Sequence, residues 1–209
     1  MKSLIALTTA MLLAYPALAQ APAAGAPPRP SASKDPTSAP AGNYTLDARH
    51  ASIIARVGHM GGVSFSTFRF DKSSGTLVWN GAKPEASQLS ITVDMTSINS
   101  PVPNFASELI GDRFLKTGQF PNAKFVSTSV QRTGPTTGKI AGNMTFMGVT
   151  KPMTIDATLV GTGTNRQGPV IGFSGEAHFK RSDFGFSSMV GPIADDIQLV
   201  IDVEFDKAA

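Results

Sequence analysis

The sequence predicts an all-β protein: an antiparallel β-barrel of about eight strands with one short helical insert. Three observations carry that prediction. Apolar residues recur with a period of two in segment after segment, which places one apolar and one polar face on each strand. Turn residues punctuate the chain at short intervals, and only one stretch reads as a helix. The clearest unit is Ile140–Leu159. Ile140, Gly142, Met144 and Phe146 alternate on its first arm, and Met153, Ile155, Ala157 and Leu159 on its second. Gly148 supplies the corner between them and Pro152 biases Lys151 to extended backbone, so the unit reads as a hairpin of two half-buried strands.

The other elements follow in chain order. Residues 1–19 read as a secretory signal peptide: Lys2, then an apolar run from Leu4 to Leu13, then Ala17-Leu18-Ala19 as a small-x-small cleavage site. Residues 20–42 carry Pro22, Pro27, Pro28, Pro30, Pro36 and Pro40 among Ala, Ser and Gly. They read as a disordered spacer with too little apolar surface to offset its ordering entropy. Residues 43–207 form the barrel domain. Tyr44 and Leu46 alternate on a first short strand, and Ile53, Ala55, Val57 and His59 on the next. Phe65, Phe68 and Phe70 mark an aromatic-rich strand, followed by Leu77 and Trp79. Leu89, Ile91, Val93 and Met95 alternate with polar partners. Asn104–Leu115 is the helical insert, with Asn104 or Ser107 as cap and Phe105, Leu109 and Ile110 as its packing stripe. Lys124–Val130 precedes the hairpin. Ile171, Phe173, Ala177 and Phe179, then Ile197, Leu199, Ile201, Val203 and Phe205, complete the set.

Composition narrows the function. The chain has 209 residues, 41% of them hydrophobic and 16% charged, enough for one sizeable core. It has no cysteine, so neither disulfide staples nor a lipidated cysteine enter the fold. A net charge of +3, spread without a basic block, gives nucleic-acid binding no support. An outer-membrane barrel shares the period of two, but two Tyr and one Trp cannot furnish its aromatic girdles. The apolar faces are therefore expected to point inwards, with no stable membrane insertion of the mature domain.

Several segments resemble the bacterial polyisoprenoid-binding, YceI-like family of lipocalin-like periplasmic proteins. They are Asp47-Ala48-Arg49-His50, Val57-Gly58-His59-Met60, the run Phe114–Thr128, Gly148-Val149-Thr150-Lys151-Pro152, Gly172-Phe173 and Arg181-Ser182-Asp183-Phe184-Gly185. Where the family commonly has Phe in the second strand, this chain has Ala55. The resemblance implies an elongated barrel holding a long apolar lipid, polyisoprenoid or isoprenoid-quinone-like, with no catalytic residues, no metal and no cofactor beyond the bound lipid. Ile53, Val57, Phe65, Ile91, Val93, Met144, Phe146, Ile155, Phe173 and Ile201 are the expected lining. Two other readings of the same residues stay open: an interaction or stress-response module with a filled core, and a metal-dependent enzyme built on His50 and His59 near Asp47. Arg181 and Asp183 are expected to order a turn by charge-assisted hydrogen bonds. The periplasm is the expected compartment, and both monomer and dimer are compatible with the sequence.

Overall fold

The structure, a computed structural model, describes residues 31–208. The signal-peptide reading of residues 1–19 and the first part of the spacer lie outside them. Ten strands form one antiparallel sheet in the order β10-β9-β8-β7-β6-β4-β3-β1-β2-β5, and β10 pairs with β1 to close it. The strands are β1 (Gly42–His59), β2 (Ser64–Phe70), β3 (Ser73–Trp79), β4 (Gln88–Asp94), β5 (Ile98–Asn99), β6 (Asn122–Arg132), β7 (Thr137–Phe146), β8 (Val149–Asn165), β9 (Gly168–Lys180) and β10 (Ile193–Lys207). Strands β2 and β3 are one stave interrupted at Asp71-Lys72, since β1 pairs with β2 over Ile53–His59 and with β3 over Gly42–Thr45. Likewise β4 and β5 pair with β3 and β2 in turn. The result is a closed eight-strand antiparallel barrel. Its lower end is where β1 begins and β10 ends; its upper end is where β1 ends at His59.

Local chemistry explains the elements. The two first strands expected from sequence are one 18-residue strand, β1, with a bulge between Leu46 and Ala51 that keeps both apolar sets facing inwards. The β7–β8 hairpin turns on Met147 and Gly148, at φ 48° and 78°, between the paired residues Phe146 and Val149. That is the geometry of a two-residue type I′ turn, whose twist matches the flanking strands.

The helix is much shorter than expected. The α-helix α1 spans only Phe105–Leu109, and Asn104 precedes it in the left-handed region without capping it through its side chain. Beyond Ile110 the chain turns back on itself: Leu115 N donates to Leu109 O and Thr117 N to Ile110 O. Burying Leu109, Phe114 and Leu115 together requires that compact turn, which a straight helix could not supply.

Two apolar clusters fill the ends. The upper one gathers Phe125, Met144, Phe146, Met153, Ile155 and Phe184 with Leu109, Phe114 and Leu115 from the insert. The lower one gathers Tyr44, Leu46, Leu77, Trp79, Leu159, Ile171 and Phe205 with Ala39. Ala39 belongs to the segment expected to be a disordered spacer, and the described part of that segment corrects the expectation. Residues Pro36–Ser38 form a 3-10 turn, Ser33 bridges to Thr162, and the Tyr44 hydroxyl donates to Pro40 O at 2.7 Å. Its few apolar groups gain a partner surface from the barrel that composition alone does not disclose.

Candidate binding cavity

Alternation along each strand sends every second side chain into the barrel. The interior they enclose is not filled. A cavity of about 530 Å³ runs through it, lined almost wholly by apolar side chains. That lies within the usual range of small-ligand sites, roughly 300–1,000 Å³. Ile91, Val93, Phe173, Leu199 and Ile201 all border this space and stay only half-buried. Small residues make the room: Ala55, Ala157 and Gly175 also line it. A filled core does not describe this interior.

Nine of the ten expected lining residues border the cavity: Ile53, Val57, Ile91, Val93, Met144, Phe146, Ile155, Phe173 and Ile201. Phe65 does not, and this corrects its assignment. It is 57% exposed on the outer face, with the Arg56 guanidinium 4.4 Å from its ring centre. Phe65 and Phe68 are three residues apart, so a strand cannot show both to one side; Phe68 and Phe70 take the inner face. The spacing was visible in the sequence.

Less visible was the upper aromatic group. Phe105 and Phe114 from the insert, Phe68 from β2 and Phe186 from the loop before β10 form a chain of ring contacts at 6.0–6.4 Å, which continues from Phe186 to Phe146. Phe105, Phe114 and Phe186 come from segments without a strand period, so alternation could not nominate them.

Arg181 anchors this upper end. It is 2% exposed, and its guanidinium donates to the carbonyl oxygens of Ala194 (2.9 Å), Phe186 (3.2 Å), Ser188 (2.6 Å) and Ile193 (3.2 Å). Burial pushes its pKa below the ordinary arginine value. The carboxylate that orders this turn is Asp195, not Asp183: it accepts from the backbone N and the hydroxyl of Ser182 at 2.9 and 2.6 Å. Those bonds, the hydroxyl's foremost, hold Asp195 below the usual carboxylate range.

The histidines are not brought together. His59 borders the cavity near its upper end. His50 sits in the β1 bulge, its Nδ1 2.8 Å from Asp47 Oδ2, with its side chain 59% exposed. Nine residues of strand separate the two by a distance on the order of 25 Å. No group of three His, Cys, Asp or Glu is gathered for a metal ion among the described residues. His178 faces solvent between Asp196 and Glu176, at 3.0 and 3.1 Å.

A closed antiparallel barrel around an almost wholly apolar cavity defines a lipocalin-like binding barrel. The family model of the YceI-like domain matches residues 44–205, and the chain belongs to that family. It is 38% identical over 172 residues to a UPF0312 protein of Shewanella sp. strain W3-18-1, covering 81% of this chain and 90% of the relative. The fold is shared with the Campylobacter jejuni YceI protein, with a TM-score of 0.63 and 29% identity over 68% of this chain and 85% of that one. It is also shared with a polyisoprenoid binding domain from Saccharophagus degradans implicated in plant cell wall breakdown. There the TM-score is 0.58 with 15% identity, over 79% of this chain and 98% of that one.

Proposed function

We propose that the protein is a non-enzymatic carrier that sequesters or transports a long apolar lipid, polyisoprenoid or isoprenoid-quinone-like, inside the barrel, and that it works in the periplasm after export. The observation that carries this reading is the unfilled apolar cavity of about 530 Å³. Each buried methylene contributes roughly 0.8 kcal/mol, against an association cost of about 4–15 kcal/mol. Apolar contact alone therefore selects ligands with on the order of ten or more buried carbons. Met144, Met153 and the ring-lined upper end suit a chain of variable shape, since thioethers adapt to irregular surfaces. The binding named for the Saccharophagus domain supports the same ligand class. Export is supported by Lys2, the apolar run after it and Ala17-Leu18-Ala19. The reading calls for no metal and no cofactor, and a centre built on His50 and His59 has no shared geometry to rest on.

The test is mass spectrometry of organic extracts of the purified protein, paired with uptake of added polyprenols. Phe146 borders the cavity, whereas Thr145 bonds outside it to Thr150 at 2.8 Å. Phe146→Asp is expected to abolish uptake and Thr145→Asp to leave it near the parent level, both measured on folded protein. Equal losses, or a parent protein that carries and accepts no lipid, would sink the reading.

A further inference from the structure

The segment before the barrel is fitted to the cavity's lower end. Pro36 is itself a lining residue, and its carbonyl oxygen accepts from Trp79 Nε1 at 3.3 Å. Trp79 also borders the cavity, with its ring 5.6 Å from that of Phe173. Ser33 pairs with Thr162 by two backbone bonds, Ser33 N to Thr162 O at 2.9 Å and Thr162 N to Ser33 O at 2.8 Å. Strand β7 leaves β8 at Thr158, so Ser33 takes up part of an edge that β7 does not reach.

The barrel is shaped to receive this segment. Gly81 and Gly161 are both buried. A Cβ at Gly81 would overlap the Pro36 carbonyl, and the other atoms nearest to it also belong to Pro36 and Thr37. A Cβ at Gly161 would stand 2.7 Å from Ala32 Cβ, with Ser33 O next at 3.4 Å. Neither glycine has a positive φ that would call for glycine on backbone grounds. In each case the close approach of residues 32–37 is what leaves no room for a side chain. The segment lies outside residues 44–205, the part that the family model matches.

We propose that Ser33–Pro40 is the floor of the cavity and limits how long an apolar chain it accepts. Specificity for length then resides in the Pro36–Ser38 turn, outside the matched domain, set against Trp79 within it. This inference rests on the lipid-binding reading for its ligand, but the floor itself can be tested without one.

Trp79 is the only tryptophan of the chain, so its fluorescence reports on the floor directly. Two changes are made in the otherwise intact protein: Gly81→Val, which pushes Pro36 away, and deletion of residues 31–40. Acrylamide quenching of Trp79 is expected to rise severalfold in both, with far-ultraviolet circular dichroism unchanged. In a polyprenol length series the parent is expected to show an upper cutoff, and both variants to accept longer chains. Unchanged quenching in folded variants overturns the floor, and so does an identical length cutoff. If both variants fail to fold, the segment is a folding element and the proposal is likewise overturned. If no polyprenol binds to parent or variants while quenching rises, the lipid reading fails and the floor stands as a closure of the barrel.

Discussion

Asp47 shows how much one side chain can govern. Its carboxylate, only 5% exposed, accepts from Arg49 N, Nε and Nη2, each at 2.9 Å, and lies 2.8 Å from His50 Nδ1. The Arg49 side chain, foremost, holds it well below the usual carboxylate range, and the Asp47 bond, then Glu204, raises His50. A depressed carboxyl adds stability above its unfolded value, near pH 4, and loses it as pH falls through the folded one. His50 runs the other way: its share is complete below about pH 6.5 and fades as pH rises past its raised value. Asp47→Asn is expected to lower the unfolding free energy at pH 7 by about 1–3 kcal/mol in urea titrations, and the gap to the parent should shrink below about pH 4. Met147 poses a second balance. Its left-handed backbone costs about 1 kcal/mol that Asn would largely avoid, yet its side chain is 8% exposed in the upper cluster. Losing that burial costs roughly 2 kcal/mol, so Met147→Asn is expected to lower thermal stability despite the better turn residue. Residue by residue, the sequence disclosed nine lining positions because the period of two is strict. Phe65 falls outside that set because it stands an odd number of residues from Phe68 and Phe70, which take the inner face.

At the scale of elements, Arg181 staples the loop between β9 and β10. Four carbonyl oxygens depend on one planar fork of donors, which neither a shorter nor an ammonium side chain reproduces. Arg181→Gln is expected to reduce stability by about 3 kcal/mol, measured by chemical denaturation, and to hasten proteolysis between Phe186 and Ile193. The hairpin, β4, β9 and β10 could all be read from alternation. The insert could not: its five-residue helix and the turns after it are fixed by packing of Phe105, Leu109 and Phe114 against the barrel, a tertiary demand that helix propensity does not register. The fit of the Pro-rich segment's described residues to the barrel was hidden for a related reason. Its partners, Gly81, Trp79 and Thr162, lie 40 or more residues away in sequence, as the Trp79–Pro36 and Thr162–Ser33 bonds show with separations of 43 and 129.

For the whole molecule, the barrel expected from the sequence is closed by β10, which pairs with β1 from Tyr44–Lys207 up to His59–Ile193. What alternation left open was whether the interior would be full or hollow; only three dimensions show that Ala55, Ala157 and Gly175 border one open space. The same seam sets a rule of timing. Ala208 N donates to Asn43 O, so the two ends of the domain are hydrogen-bonded neighbours, joined by contacts that span almost the whole of the described chain. Pairings so remote in sequence form late and slowly. The pocket is consequently a property of the finished chain alone. A nascent chain still lacking β10 has strands and turns but no enclosed volume, and its apolar faces stay open to whatever chaperone or lipid meets them first.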